Sequence, residues 1–142
     1  GPLRVELAPQ DGRLLVRSGY LDDLRELRAL LAARRAALEA NDADALGALL
    51  HPEYQDGTLD KAQAVERLRA DLAGVALRIE PRSYWAEVRG LDTHVDERYG
   101  LRVGEATHAA IARLTLRRAA GHWRIRAGLY PPGQDRPPAP TP

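Results

Sequence analysis

The sequence contains no cysteine, so disulfides are excluded and the redox compartment cannot be read from thiols. Methionine is absent as well, and Gly1-Pro2 reads as a processed or excised end: a protease scar, a mature N-terminus, or the edge of a domain cut from a longer chain. Cytoplasmic, periplasmic and lipoprotein origins all stay open on that reading. Lysine occurs once, at Lys61, against abundant arginine, alanine, leucine and glycine, a bias associated with GC-rich bacterial genomes. Serine is confined to Ser18 and Ser83, which leaves no Gly-x-Ser-x-Gly turn for a serine nucleophile, and no glycine-rich phosphate loop is present. No apolar run approaches the roughly 18 residues that span a bilayer, and no stretch has the character of a signal peptide. Neither charge sign dominates: 21 basic against 20 acidic side chains give a net charge of +1, with no global pull towards nucleic acid or a membrane surface.

What is present suits one soluble domain. With 142 residues, 44% hydrophobic and 29% charged, the chain is long enough to bury roughly two-thirds of its unfolded surface. Around Pro9-Gln10-Asp11-Gly12, the alternating stretches Leu3–Leu7 and Leu14–Arg17 predict a short β-hairpin that packs on the main body. From Leu21 the period becomes helical, with Leu24, Leu27, Leu31 and Leu38 on one stripe and Asp22 and Asp23 at the positive N-terminal end. Asn41 suits the left-handed stop of this helix. Asp42 or Asp44 caps a second helix reaching Leu50, where Pro52 ends it. After a turn at Tyr54–Gly57, Asp60 opens a third helix with Ala64, Val65, Leu68 and Leu72 on its buried stripe, closed by Gly74.

Everything after Gly74 reads as strand: 76–89, 93–103, 106–118 and 122–130, separated by loops of hairpin length. Sequential antiparallel pairing is the default for such an order. Pro81 predicts a bulge or break in the first of these strands, since proline cannot serve a central ladder. The proline-rich segment 131–142 is expected to be an extended, mobile tail.

The stretch 36–50, a helix with an acidic break at Asp42 and Asp44 and then a second helix, is followed by His51-Pro52-Glu53-Tyr54. Together with Gly121-His122-Trp123-Arg124-Ile125 near the C-terminus, it resembles the NTF2-like (SnoaL-like) superfamily over residues 21–130. The resemblance implies an α+β fold, three N-terminal helices packed on a curved antiparallel sheet that closes into a cone. Here that body carries an N-terminal hairpin extension over residues 1–20. The superfamily includes isomerases, cyclases, dehydratases, transport adaptors and domains with no known reaction, so it implies no single activity. It also implies a homodimer through the sheet.

Candidate site residues are polar groups on otherwise apolar faces. Val95, Glu97, Tyr99, Leu101 and Val103 share a strand face on which Glu97 is the only charge. Arg34 lies on the apolar stripe of the first helix, three residues after Leu31 and four before Leu38. A buried charge needs a partner or an open cavity, so Arg34 and Glu97 are expected to meet across the cone, as a ligand-binding floor or as a structural ion pair. Tyr54 and Tyr99 are candidates for lining the same cavity. The facing of Tyr84 and Trp85, just after the Pro81 break, is left open. His108 shares a face with Ala110, Ala112, Leu114 and Leu116 and is expected to point inward, as a core histidine or as a base with Asp56 or Glu97 in the cyclase manner.

An isomerase of the ketosteroid type needs a tyrosine on the first helix and an inward acid on the third strand. The corresponding positions here are Arg34 and the acid-free run 109–112, so that activity is rejected although Asp56 stands near the place of the general base. No histidine pair has the i, i+4 spacing of a helical metal site, and His94 with Asp96 shares the face opposite Glu97. No metal or cofactor is expected. Arg113, Arg117, Arg118, Arg124 and Arg126 are interleaved with apolar residues, as on a strand pair with one wet face. Two functions follow: a non-catalytic interaction or dimerisation module, using the face with Thr107, Ala109, Ile111, Arg113 and Thr115, or a binder of a polar or anionic small molecule, or a SnoaL-like enzyme, using the cone pocket.

Overall fold

The computed structural model describes residues 4–7 and 20–129. Three helices, α1 (Tyr20–Glu39), α2 (Ala43–Gly47) and α3 (Lys61–Leu72), precede the long strands β4 (Leu77–Arg89), β5 (Asp92–Val103), β6 (Ala106–Ala119) and β7 (His122–Ala127). A short strand β1 (Arg4–Leu7) lies at the start, and β2 (Gln55–Asp56) with β3 (Leu59–Asp60) forms a small ladder between α2 and α3. The main sheet has the order β1-β4-β5-β6-β7 with every pair antiparallel. The expected segment Leu14–Arg17 and the tail 131–142 lie outside the described residues. The half of the predicted hairpin that is described, β1, adds to the main sheet by pairing with β4.

The helix ends follow local chemistry. Asn41 takes φ +55° just beyond α1, and Asp42 caps α2 by accepting from the Ala45 amide at 2.9 Å. Asp60 and Gln63 form a reciprocal capping box at the start of α3. The second helix stops at Gly47, three residues before the predicted Leu50. The Leu49 and Leu50 amides turn to carbonyls three residues back, and the backbone is then claimed by β7. Ile125 donates to the Leu49 carbonyl and accepts from the His51 amide, each at 2.8 Å. Gly47 is required by packing, because a Cβ there would stand 2.9 Å from Val65 Cγ2 on α3.

The core lies between α1 and the concave face of the sheet. Leu27, Leu30 and Leu31 of α1 meet Tyr84, Ala86, Val95, Leu114, Leu116 and Ile125. Each such leucine contributes about 1.5–3 kcal/mol by leaving water. A second cluster joins Ala37 to Ala43, Leu46 and Leu68, holding α2 and α3 against the other flank of α1. Glu26 accepts from the Trp123 amide at 2.8 Å and Glu39 from the Ile79 amide at 2.7 Å, so α1 is fastened at both ends, to β7 and to β4. The register shift between Pro81 and Ser83 is the predicted bulge. It inserts one residue, and it resolves the facing of the aromatic pair: Tyr84 is buried on the concave side, and Trp85 is half-buried on the convex side.

Candidate functional site

The concave face carries two separate polar groups. In the first, Glu97 on β5 is 1% exposed and Arg34 on α1 5% exposed, so this pair is removed from water. Arg34 Nη1 donates to Glu97 Oε1 at 3.0 Å, the pairing expected from the sequence, and Arg35 Nη1 donates to Glu97 Oε2. Arg35 was not foreseen. It sits on the flank of the helix, at the edge of the apolar stripe, and adjacency to Arg34 is the only sequence signal for it. The Arg34 guanidinium stands 5.6 Å from the Tyr99 ring centroid, close enough for a cation–π contact. Both oxygens of Glu97 are therefore engaged, which is what a carboxylate at this depth requires.

In the second group, the Tyr54 hydroxyl donates to Asp56, and both residues are buried. Asp56 also accepts from the Gly128 amide at 2.7 Å and the Leu129 amide at 3.1 Å. Its carboxylate thus ties the turn after α2 to the end of β7. Gly128 has φ +106°, and a side chain there would run into the Arg113 carbonyl, so the approach of this backbone to Asp56 depends on glycine.

Arg34, Glu97, Tyr99, Tyr54 and Asp56 thus all lie on the inner side, arranged in those two groups. His108 does not join them. Its face is the concave one by register, opposite Leu101, but it lies near the free end of the β5–β6 hairpin and is exposed. The expectation of an inward histidine is corrected: strand alternation assigns a face, but the helices do not extend over that end. His51 is also more enclosed than a helix-end residue, at 7% exposure, with Nδ1 accepting from the Glu53 amide at 2.9 Å.

Tyr84 is the other residue that the sequence left undecided. It is the cross-strand partner of Glu97, is 4% exposed, and its hydroxyl has no hydrogen-bond partner among the described residues. Burial pushes its phenol up to about 12, while the nearby Arg28 and Arg35 act in the opposite direction. Among the described residues no group of three or more metal-ligating side chains occurs, and His94 and Asp96 lie on the convex side.

No family model matches the chain, and no curated protein matches it in sequence. Solved structures do match. The Bdellovibrio bacteriovorus protein Bd1075 superposes with a TM-score of 0.66 at 7% identity, over 80% of this chain and 42% of its own. This chain therefore spans less than half the length of that protein. Rv3472 from Mycobacterium tuberculosis, described as of unknown function, gives a TM-score of 0.64 at 16% identity over 75% of this chain and 69% of its own. A putative dehydratase of the NTF2-like family from Streptomyces avermitilis gives 0.63 at 14% identity over 75% and 92%. Such identities establish the fold alone. With three helices on an antiparallel sheet and these structural matches, the chain has the NTF2-like fold.

Proposed function

We propose that this domain is a non-catalytic interaction module that pairs with a second copy through the convex face of its sheet. The observation that carries the reading is the exposure of Ile111, 45%, at the middle of β6 on that face. Around it the register places Arg98 beside Ile111, and Asp96 beside Arg113 on the next row. Glu80 and Arg82 lie over Gly100 nearby. An apolar centre ringed by charges of both signs suits a two-fold contact, in which each copy sets its acids against the other's arginines. Arg78 and Arg102 are direct cross-strand partners, a like-charge pair that an opposing carboxylate would relieve.

The concave side supports the same reading. Glu97 and Asp56 are the buried acids there, and both are occupied by protein donors.

Light-scattering mass measurements on the purified chain and on Ile111→Lys test the proposal. A dimer at micromolar concentration that dissociates in Ile111→Lys, with an unchanged far-ultraviolet circular dichroism spectrum, is the expected result. A parent that stays monomeric, or a dimer indifferent to the substitution, rules the convex face out.

A further inference from the structure

The flank of α1 turned towards β4 carries polar groups that neither the core nor the convex face uses. At about 100° per residue, Arg28, Ala32 and Arg35 lie on the side of the helix away from Ala37, which packs on α2 and α3. Between that flank and β4 is a cavity of about 290 Å³ lined by Arg28, Ala29, Leu31, Ala32, Arg35 and Tyr84. It is therefore separate from the Tyr54–Asp56 group.

Three observations give this cavity a chemical character. First, Tyr84 lines it, and the buried hydroxyl of that side chain has no partner among the described residues. A buried donor left unpaired is a cost that a bound acceptor would remove. Second, Arg28 forms no ion pair with any described residue, and Arg35 commits only Nη1 of its five-donor guanidinium, to Glu97. Third, the neighbourhood holds the guanidiniums of Arg28, Arg34 and Arg35 against the single carboxylate of Glu97, leaving positive charge in excess. The rest of the wall, Ala29, Leu31 and Ala32, is apolar.

We propose that this cavity is a binding site for a small organic carboxylate, held by Arg28, Arg35 and the Tyr84 hydroxyl, with the ligand's apolar body along Ala29 and Ala32. The planar forks of the two arginines match a carboxylate, and the phenol supplies a further donor. The phenol keeps its proton over the whole physiological range, since burial raises its pKa to about 12. The volume fits a ligand the size of a substituted benzoate, at the lower end of ordinary small-molecule sites. The site is independent of self-association: a monomer that binds carboxylates would leave it intact.

Calorimetric titration of the full chain with benzoate, benzamide and inorganic phosphate tests the assignment, beside Arg28→Gln and Tyr84→Phe. Arg28 is exposed and Tyr84→Phe removes only an unpaired hydroxyl, so both variants are expected to keep the parent's melting temperature or exceed it. Saturable benzoate binding that weakens about ten-fold or more in each variant, with benzamide silent, is the expected result. The proposal is overturned if benzoate does not saturate the parent, if benzamide binds as well, if phosphate binds and benzoate does not, or if either variant retains the parent's affinity.

Discussion

Tyr84 and Glu97 are direct partners across the β4–β5 ladder, yet they do not bond to each other. The carboxylate is drawn to Arg34 and Arg35 on the overlying helix, and the phenol is left without a partner among the described residues. One cross-strand pair therefore divides the concave face into an ion-paired cluster and an unpaired phenol.

Glu97 is the keystone of the ion-paired cluster. Substituting Glu97→Gln removes the charge that compensates two guanidiniums, of which that of Arg34 is almost fully buried. Breaking a buried pair from one side costs about 3–5 kcal/mol, because the remaining charge is stranded. Urea denaturation should show a loss of that order. A loss below about 1 kcal/mol would mean that water reaches the cluster and that its burial is not decisive.

Asp56 acts at a distance in sequence by holding Gly128 and Leu129. In Asp56→Ala, the two amides and the Tyr54 hydroxyl lose a charged acceptor, each such bond being worth about 1.5–3 kcal/mol when intact. Hydrogen exchange should report the change locally, with the Gly128 and Leu129 amides losing protection before the centres of β5 and β6 do. Uniform loss of protection would show that the end of β7 has no independent opening.

How far this was legible from the sequence differs between elements. Helix ends were readable where a side chain acts on its own backbone, as at Asn41, Asp42 and Asp60. The end of α2 was not, because Ile125, far along the chain, takes over the backbone at Leu49 and His51. Alternation placed Glu97 inside, and helical spacing placed Arg34 opposite it. The same alternation misplaced His108, since it gives a face but not how far the helices cover that face. Tyr84 was unreadable because the bulge between Pro81 and Ser83 shifts the phase by one, and the shift can be counted only when the pairing is seen. Arg28 and Arg35 look like solvated helix residues until β4 is laid beside them.

Acid stability should carry the signature of Asp92. The Arg117 guanidinium, donating from Nε at 2.7 Å, holds the Asp92 carboxyl below its ordinary value. A lowered folded-state pKa stabilises the fold above the unfolded value of about 3.9 and ceases to do so as pH falls through the folded value. Parent and Asp92→Asn should therefore differ in denaturation midpoint near neutrality and converge as the pH drops below about 4. A gap of constant size down to the acid limit would assign the effect to shape or hydrogen bonding and not to charge.

Leaving a buried hydroxyl unsatisfied costs about 1–3 kcal/mol, so Tyr84→Phe in the ligand-free chain should be neutral or stabilising by up to about that amount. Tyrosine absorbance in alkali gives an independent check, because burial raises the Tyr84 pKa to about 12. The folded state then holds its proton more tightly than the unfolded chain, so the fold keeps its full stability below about pH 10 and loses part of it as pH rises through the folded value. Comparison of the two titrations should show that Tyr84→Phe lacks one late-ionising phenol. If Tyr84→Phe is instead destabilised at neutral pH, the hydroxyl has a protein partner, and the case for an unpaired donor beside the cavity is lost. A stabilised variant that no longer binds benzoate would show a residue kept for its ligand at the expense of the fold, the trade expected of a binding site.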